Sequence, residues 1–172
     1  MRNDGDESAR RAARWVWVQI PLLAVTLTVP VAQWMLHLQT SRPPQLIWPA
    51  RILGLAGIVG AILLFRASQR MLGGDLVATP APVAGATLRE TGVYGRIRHP
   101  IYAAIICGVI GWALLWNSVV CLGLALICIA FFLAKTRYEE RLLVAHYPGY
   151  AEYRRRVPAF LPRLPRGGPH VP

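Results

Sequence analysis

Residues 101–134 read IYAAIICGVIGWALLWNSVVCLGLALICIAFFLA. Two apolar runs without a formal charge, Ile101–Trp116 and Val119–Ala134, are broken only by Asn117-Ser118. A polar pair between two such runs reads as the tip of a tight helical hairpin. Each run has 16 residues, at the short end for a hydrocarbon core that takes ~20 helical residues to cross. In the first run Ala104, Cys107, Gly108 and Gly111 recur at three- and four-residue spacing. Such a stripe of small residues lets membrane helices approach closely.

Working outward, two further spans precede the hairpin. Trp15–Leu38 carries no formal charge over 24 residues, enough to span, and its Pro21 and Pro30 are better tolerated in a membrane helix than in a soluble one. Gln39–Pro44 is a polar turn, and a second span runs from about Leu46 to Phe65, with Gly54, Gly57, Gly60 and Ala61 forming a small-residue face. The chain is 55% apolar with a net charge of +11, greasier than the ~45–50% of soluble domains. The basic excess suits nucleic acid or a membrane surface, and the apolar runs favour the membrane. Cys107, Cys121 and Cys128 lie in apolar runs, away from any histidine or C-x-x-C pair, and read as buried packing residues rather than a metal or redox site. No signal-peptide pattern opens the chain.

The sequence thus predicts an all-α integral membrane protein with about four transmembrane helices and a C-terminal cytoplasmic helical segment. Its expected divisions are a polar N-terminus 1–14, two spans within 15–66, a loop 67–98, and the hairpin with its tail, 99–172. Arginine and lysine concentrate in the N-terminus, the loop and the tail, and are absent from the hairpin tip. The positive-inside rule therefore puts both termini and the long loop in the cytoplasm, at the inner membrane if the cell is bacterial.

Two polar clusters flank the hairpin. Gly92–Tyr102 reads GVYGRIRHPIY; Pro100 suits the first turn of a helix, and the helix N-terminus beside Arg96, Arg98 and His99 is a potential anion site. The plainer reading is a set of interfacial anchors. Lys135–Arg141 reads KTRYEER, where helical spacing puts Lys135 over Glu139 and Arg137 over Arg141; the plainer reading is a solvated, salt-bridged face. The hairpin folds both clusters to one membrane face, where a cationic half and a carboxylate half suit a zwitterionic ligand bearing hydroxyls.

The order of these motifs carries a resemblance. Gly92-Val-Tyr94, Arg98-His-Pro-Ile-Tyr102, Glu139-Glu140 and the run Tyr150-x-x-Tyr153-x-x-x-Val157-Pro158-x-x-Leu161-Pro162 resemble the isoprenylcysteine carboxyl methyltransferase and phospholipid methyltransferase superfamily over Leu88–Pro162. The resemblance implies S-adenosyl-L-methionine as cofactor and a lipid or lipophilic small molecule at the membrane as methyl acceptor, with no nucleic-acid partner and no metal. It implies Leu88, Tyr94, Arg98, His99, Pro100, Ile101, Tyr102 and Glu139 as cofactor-binding residues, Leu88 within a strip Ala86–Arg89. Lys135 falls where prenylcysteine-specific members have an arginine facing substrate, and a lysine lacks the bidentate fork for a carboxylate. Many members have Gly where this chain has Ala104. Transfer from a sulfonium needs mainly orientation and exclusion of water; His99, Tyr102 and Glu140 are the candidate catalytic groups for taking the acceptor's proton. The acceptor stays open among carboxylate, hydroxyl, amine and thiol. An NADPH-dependent reductase of the sterol-reductase branch and a non-enzymatic membrane protein are the alternatives; a strand-borne dinucleotide fingerprint is absent, and the intact Arg98-His99-Pro100 and Glu139-Glu140 speak for an enzyme.

Overall fold

The computed structural model describes residues 3–38, 44–72 and 88–162, and the elements among them are all helical. They are α1 (Asn3–Met35), α2 (Pro44–Leu72), α3 (Pro100–Leu115), α4 (Val119–His146) and the short α5 (Tyr150–Arg156). Three of them, α1, α2 and α4, are long and apolar enough to cross a membrane, and α3 is a shorter apolar helix. The protein is therefore an all-α, multi-pass membrane protein.

The helices overrun the apolar segments. α1 begins at Asn3, inside the stretch expected as a polar N-terminus, and α2 continues past Phe65 to Leu72, into the expected loop. α4 runs twelve residues beyond Ala134, so Glu139 and Glu140 stand on the helix itself. Hydropathy marks where a helix can sit in lipid, whereas the backbone hydrogen bonds continue as long as no breaker intervenes. The expected turn Gln39–Pro44 lies outside the described residues except for Pro44, which starts α2.

The hairpin turn is built from its polar pair. Asn117 takes a left-handed conformation, φ 54°, which asparagine tolerates better than most residues. Ser118 caps α4: its Oγ accepts from the Cys121 amide at 3.1 Å and donates to Gln33 Oε1 of α1 at 2.7 Å.

The helices pack in the order α2, α3, α4, α1, with α1 also touching α3. The α2–α3 contact is the most extensive, and its cause is the pair of small-residue faces. A Cβ added at Gly54 would lie 2.6 Å from Gly111 O and from Leu115 N, and one at Gly111 would lie 2.7 Å from Gly54 O. Gly57 faces Cys107 and Gly111, and the Cys107 thiol donates to Gly57 O at 3.4 Å. Gly60 meets open space instead, so it is not part of the seam. Cys107 also departs from the buried reading given to all three cysteines: Cys121 and Cys128 are buried, but Cys107 is exposed, on the rim of the α2–α3 crossing.

Across α4, Val109, Ala125 and Cys128 form a small core packed by Leu22 and Leu23 of α1. Large apolar side chains such as Trp17, Ile20, Leu53, Leu63, Leu126 and Ile127 point outward. In water so much exposed apolar surface would be a liability; in a bilayer it is the lipid-facing surface.

Candidate functional site

The two polar clusters meet where α3 begins and α4 extends past its apolar part. A third strand of chain ties them together. The segment after α5 runs beside the start of α3: the Arg98 amide donates to Pro158 O and the His99 amide to Ala159 O, both at 2.9 Å. α5 is held by Tyr150, Tyr153 and Val157, which are buried against Leu88, Leu143 and Tyr147. The Tyr153 hydroxyl, its pKa pushed up to about 12 chiefly by burial, donates to Tyr94 O at 2.6 Å. This stripe, at spacings of three and four residues, explains the tail motif: it clamps the polypeptide before α3.

At the centre is Glu140. Its Oε1 accepts from Arg98 Nε at 3.0 Å, Arg98 Nη2 at 2.7 Å and His99 Nε2 at 3.2 Å. Its Oε2 pairs with Arg154 Nε at 3.2 Å. The remaining Arg98 nitrogen, Nη1, donates to Arg154 O at 2.7 Å and also to Val157 O. Arg98 and Glu140 are both nearly buried, at 9% and 7% side-chain exposure. A buried carboxylate and guanidinium are tolerable only when each is paired and hydrogen-bonded in this way. The anion site expected at the α3 N-terminus is thus filled from within the chain by a carboxylate.

Glu139, the adjacent residue, points elsewhere. Its Oε2 lies 3.8 Å from His99 Nδ1, too long for a hydrogen bond. That oxygen is buried and has no hydrogen-bond partner among the described residues. Beside it the His99 ring stacks on Tyr102, 4° from parallel with centroids 5.6 Å apart, and Phe160 closes the other side at 6.2 Å. Tyr94 is half-buried in the turn before α3; its hydroxyl pKa is raised by burial first, then by Tyr153 and Glu139, so it stays a neutral donor.

Lys135 sits one helical turn back along α4 and is 1% exposed. Its Nζ donates to Gln19 Oε1 of α1 at 2.6 Å and lies 5.2 Å from the Tyr102 ring centroid. The structure therefore gathers Tyr94, Arg98, His99, Pro100, Tyr102, Lys135, Glu139 and Glu140 at one end of the bundle. Ile101 is half-buried in the first turn of α3, and Leu88 belongs to the α5 cluster. Ala86 and Thr87 of the expected cofactor strip lie outside the described residues. Two participants were missed by the sequence reading. Arg154 was visible only as one of three arginines in a row, and Gln19 as one of a few polar residues in an apolar run, where an unpaired amide is costly.

Residues 49–149, more than half of the chain, match the phospholipid methyltransferase family. The chain is 40% identical over 79 residues to cobalt-zinc-cadmium resistance protein CzcN of Cupriavidus metallidurans, covering 45% of this chain and 37% of that protein. It is 34% identical over 83 residues to methanethiol S-methyltransferase 2 of Bradyrhizobium diazoefficiens, covering 48% of this chain and 31% of the other. It is 34% identical over 76 residues to protein-S-isoprenylcysteine O-methyltransferase of Schizosaccharomyces pombe, covering 43% and 32%. The chain spans about a third of the length of these relatives. Nothing in the matches supports a reductase. With its all-helical membrane architecture and a match from the second turn of α2 to the residue before α5, the chain belongs to the phospholipid methyltransferase family.

Proposed function

We propose that the chain is an S-adenosylmethionine-dependent methyltransferase acting on a lipophilic acceptor at the cytoplasmic face of the membrane, both termini lying on that side. The observation that carries this reading is Glu139 Oε2, a buried acceptor with no donor among the described residues. Burying such an oxygen is costly unless a donor is supplied. A ligand with hydroxyl or ammonium groups supplies it, and the residues present fit that ligand. The relatives named for S- and O-methyl transfer support the reaction class; those named for metal resistance do not address it.

When bound, S-adenosylmethionine supplies an electrophilic methyl group on a sulfonium. Glu139 would accept its polar hydrogens; Leu88, Tyr94, Pro100 and Ile101 would wall its pocket, and the His99–Tyr102 stack would flank it. Arg98 and Glu140 hold His99 in register. Both oxygens of Glu140 are already engaged, so we assign it positioning rather than proton transfer. His99 remains the group placed to take an acceptor proton, with Tyr102 stacked on it, and Lys135 lies on the lipid side of them.

Calorimetric titration of purified protein in detergent tests the reading. S-adenosylhomocysteine is expected to bind and NADPH not to. Glu139→Ala should weaken the first by about ten- to a hundred-fold, the worth of a charge-assisted hydrogen bond at ~1.5–3 kcal/mol, with the unfolding temperature retained. Binding of NADPH alone would replace this reading with the reductase; binding of neither would leave a non-enzymatic protein.

A further inference from the structure

The back of α2 carries two features that the reaction does not use. Gly54, Gly57 and Ala61 turn towards α3. On the other side Ile52, Leu55, Ala56, Val59, Gly60 and Leu63 line a shallow apolar groove of about 590 Å³. At 100° per residue the two faces lie about 170° apart. The groove is dented at Gly60, where an added Cβ would meet nothing.

The second feature stands on the same side of the helix. Arg66 and Arg70 follow Val59 and Leu63 at helical spacing, one turn apart, and both are exposed. Among the described residues neither meets a carboxylate, whereas Arg98, Arg154 and Arg156 each do. Like charges four residues apart on a helix repel each other. A Cβ at Gly92 would meet Met71, so this end of α2 stands beside the turn leading into α3, at the same end of the bundle as the polar clusters. α4 repeats the charges: Leu126, Leu133, Arg137 and Arg141 are exposed at the spacing of Leu55, Ile62, Arg66 and Arg70. At the place equivalent to Gly60, however, α4 has Phe131, packed against Trp15 of α1.

An apolar groove that ends on a pair of guanidinium groups fits an amphiphile with an anionic head. Arginine binds phosphate through paired N–H donors, and two arginines about 6 Å apart along the axis can share one phosphate diester. A zwitterionic head would bring an ammonium beside two cations. A second copy of the chain is a poorer occupant. Two copies inserted in the same direction and packed through this face about a two-fold axis would set Arg66 and Arg70 against their own counterparts, and a desolvated contact screens such charges poorly.

We propose that the back of α2 is a site for one anionic phospholipid, its phosphate held by Arg66 and Arg70 and one acyl chain lying in the groove below them. This lipid is a bound partner and not the methyl acceptor. The site is separate from the one built by α3, α4 and α5, and it does not rest on the methyltransferase reading.

Native mass spectrometry of the full chain in detergent tests it, with titration by dioleoyl phosphatidylglycerol or dioleoyl phosphatidylcholine. The measurement counts lipids per copy and gives their affinities. One phosphatidylglycerol should bind about tenfold or more tighter than phosphatidylcholine, from the pull of two arginines on the headgroup charge. Arg66→Gln combined with Arg70→Gln should abolish that preference. Arg137→Gln combined with Arg141→Gln removes the same charge from α4 and should leave most of it. Gly60→Leu fills the dent while keeping both arginines, and should weaken phosphatidylglycerol binding. Inorganic phosphate at millimolar concentration should not displace the lipid. All the altered positions are exposed, so the unfolding temperature should stay near wild type. Equal affinity for the two lipids, or equal loss in the two arginine double variants, would reduce the effect to diffuse surface charge and overturn the proposal. Displacement by inorganic phosphate with no effect of Gly60→Leu would leave a bare anion site and overturn it too. A lipid-free dimer that Gly60→Leu dissociates would give the groove to a second copy instead.

Discussion

Two adjacent glutamates divide the site between them. Glu140 is saturated by Arg98, His99 and Arg154, whereas Glu139 keeps a buried oxygen unclaimed among the described residues. Their substitutions should therefore fail differently. Glu140→Ala strands a nearly buried guanidinium, and breaking a buried pair costs about 3–5 kcal/mol, a fall in unfolding temperature on the order of 10 °C. Thermal unfolding in detergent should show that fall for Glu140→Ala and little change for Glu139→Ala. A stable Glu140→Ala protein would count against the structural role given to the cluster. The sequence reading paired both glutamates with the same pocket; which one points in and which is sewn into the frame depends on a rotation of about 100° around α4, and spacing alone does not fix the side chain's partner.

At the scale of elements, the glycines of the α2–α3 seam are unequal. Gly54 sits against backbone that cannot swing aside, so Gly54→Ala should overpack the seam and destabilise by about 1–3 kcal/mol. Gly60→Ala meets nothing and should leave unfolding unchanged or raise it slightly, since alanine favours helix by ~1 kcal/mol over glycine. Parallel melts of the two variants decide it. The small-residue stripes were legible in the sequence, as were the hairpin tip and the juxtaposition of Arg98-His99 with Glu139-Glu140. What was not legible is that the stripe of α3 serves α2 rather than α4, because a stripe says that a neighbour comes close without saying which. Nor did the tail motif announce its task. Its tyrosines and valine read as a pattern until the backbone bonds from Arg98 and His99 to Pro158 and Ala159 gave it one.

For the whole molecule, the proposed orientation puts the arginine-rich ends in the cytoplasm. Gly85→Cys on a cysteine-free background should resist an impermeant thiol reagent added outside intact cells, while Asn117→Cys should react. The reverse pattern would invert the topology and move the site to the other face. The same molecule also has an order of assembly written into its connections. Arg98 finds its partners 42, 56 and 59 residues further along the chain. A polypeptide still being made can therefore insert four helices while its guanidinium waits, and a chain stopped at Gly149 would hold the bundle but lack the clamp. The Arg98 end of the bundle closes only when the stretch from Tyr150 to Ala159 has been synthesised, so on the proposed function an unfinished copy is expected to be inert in the membrane where it is made.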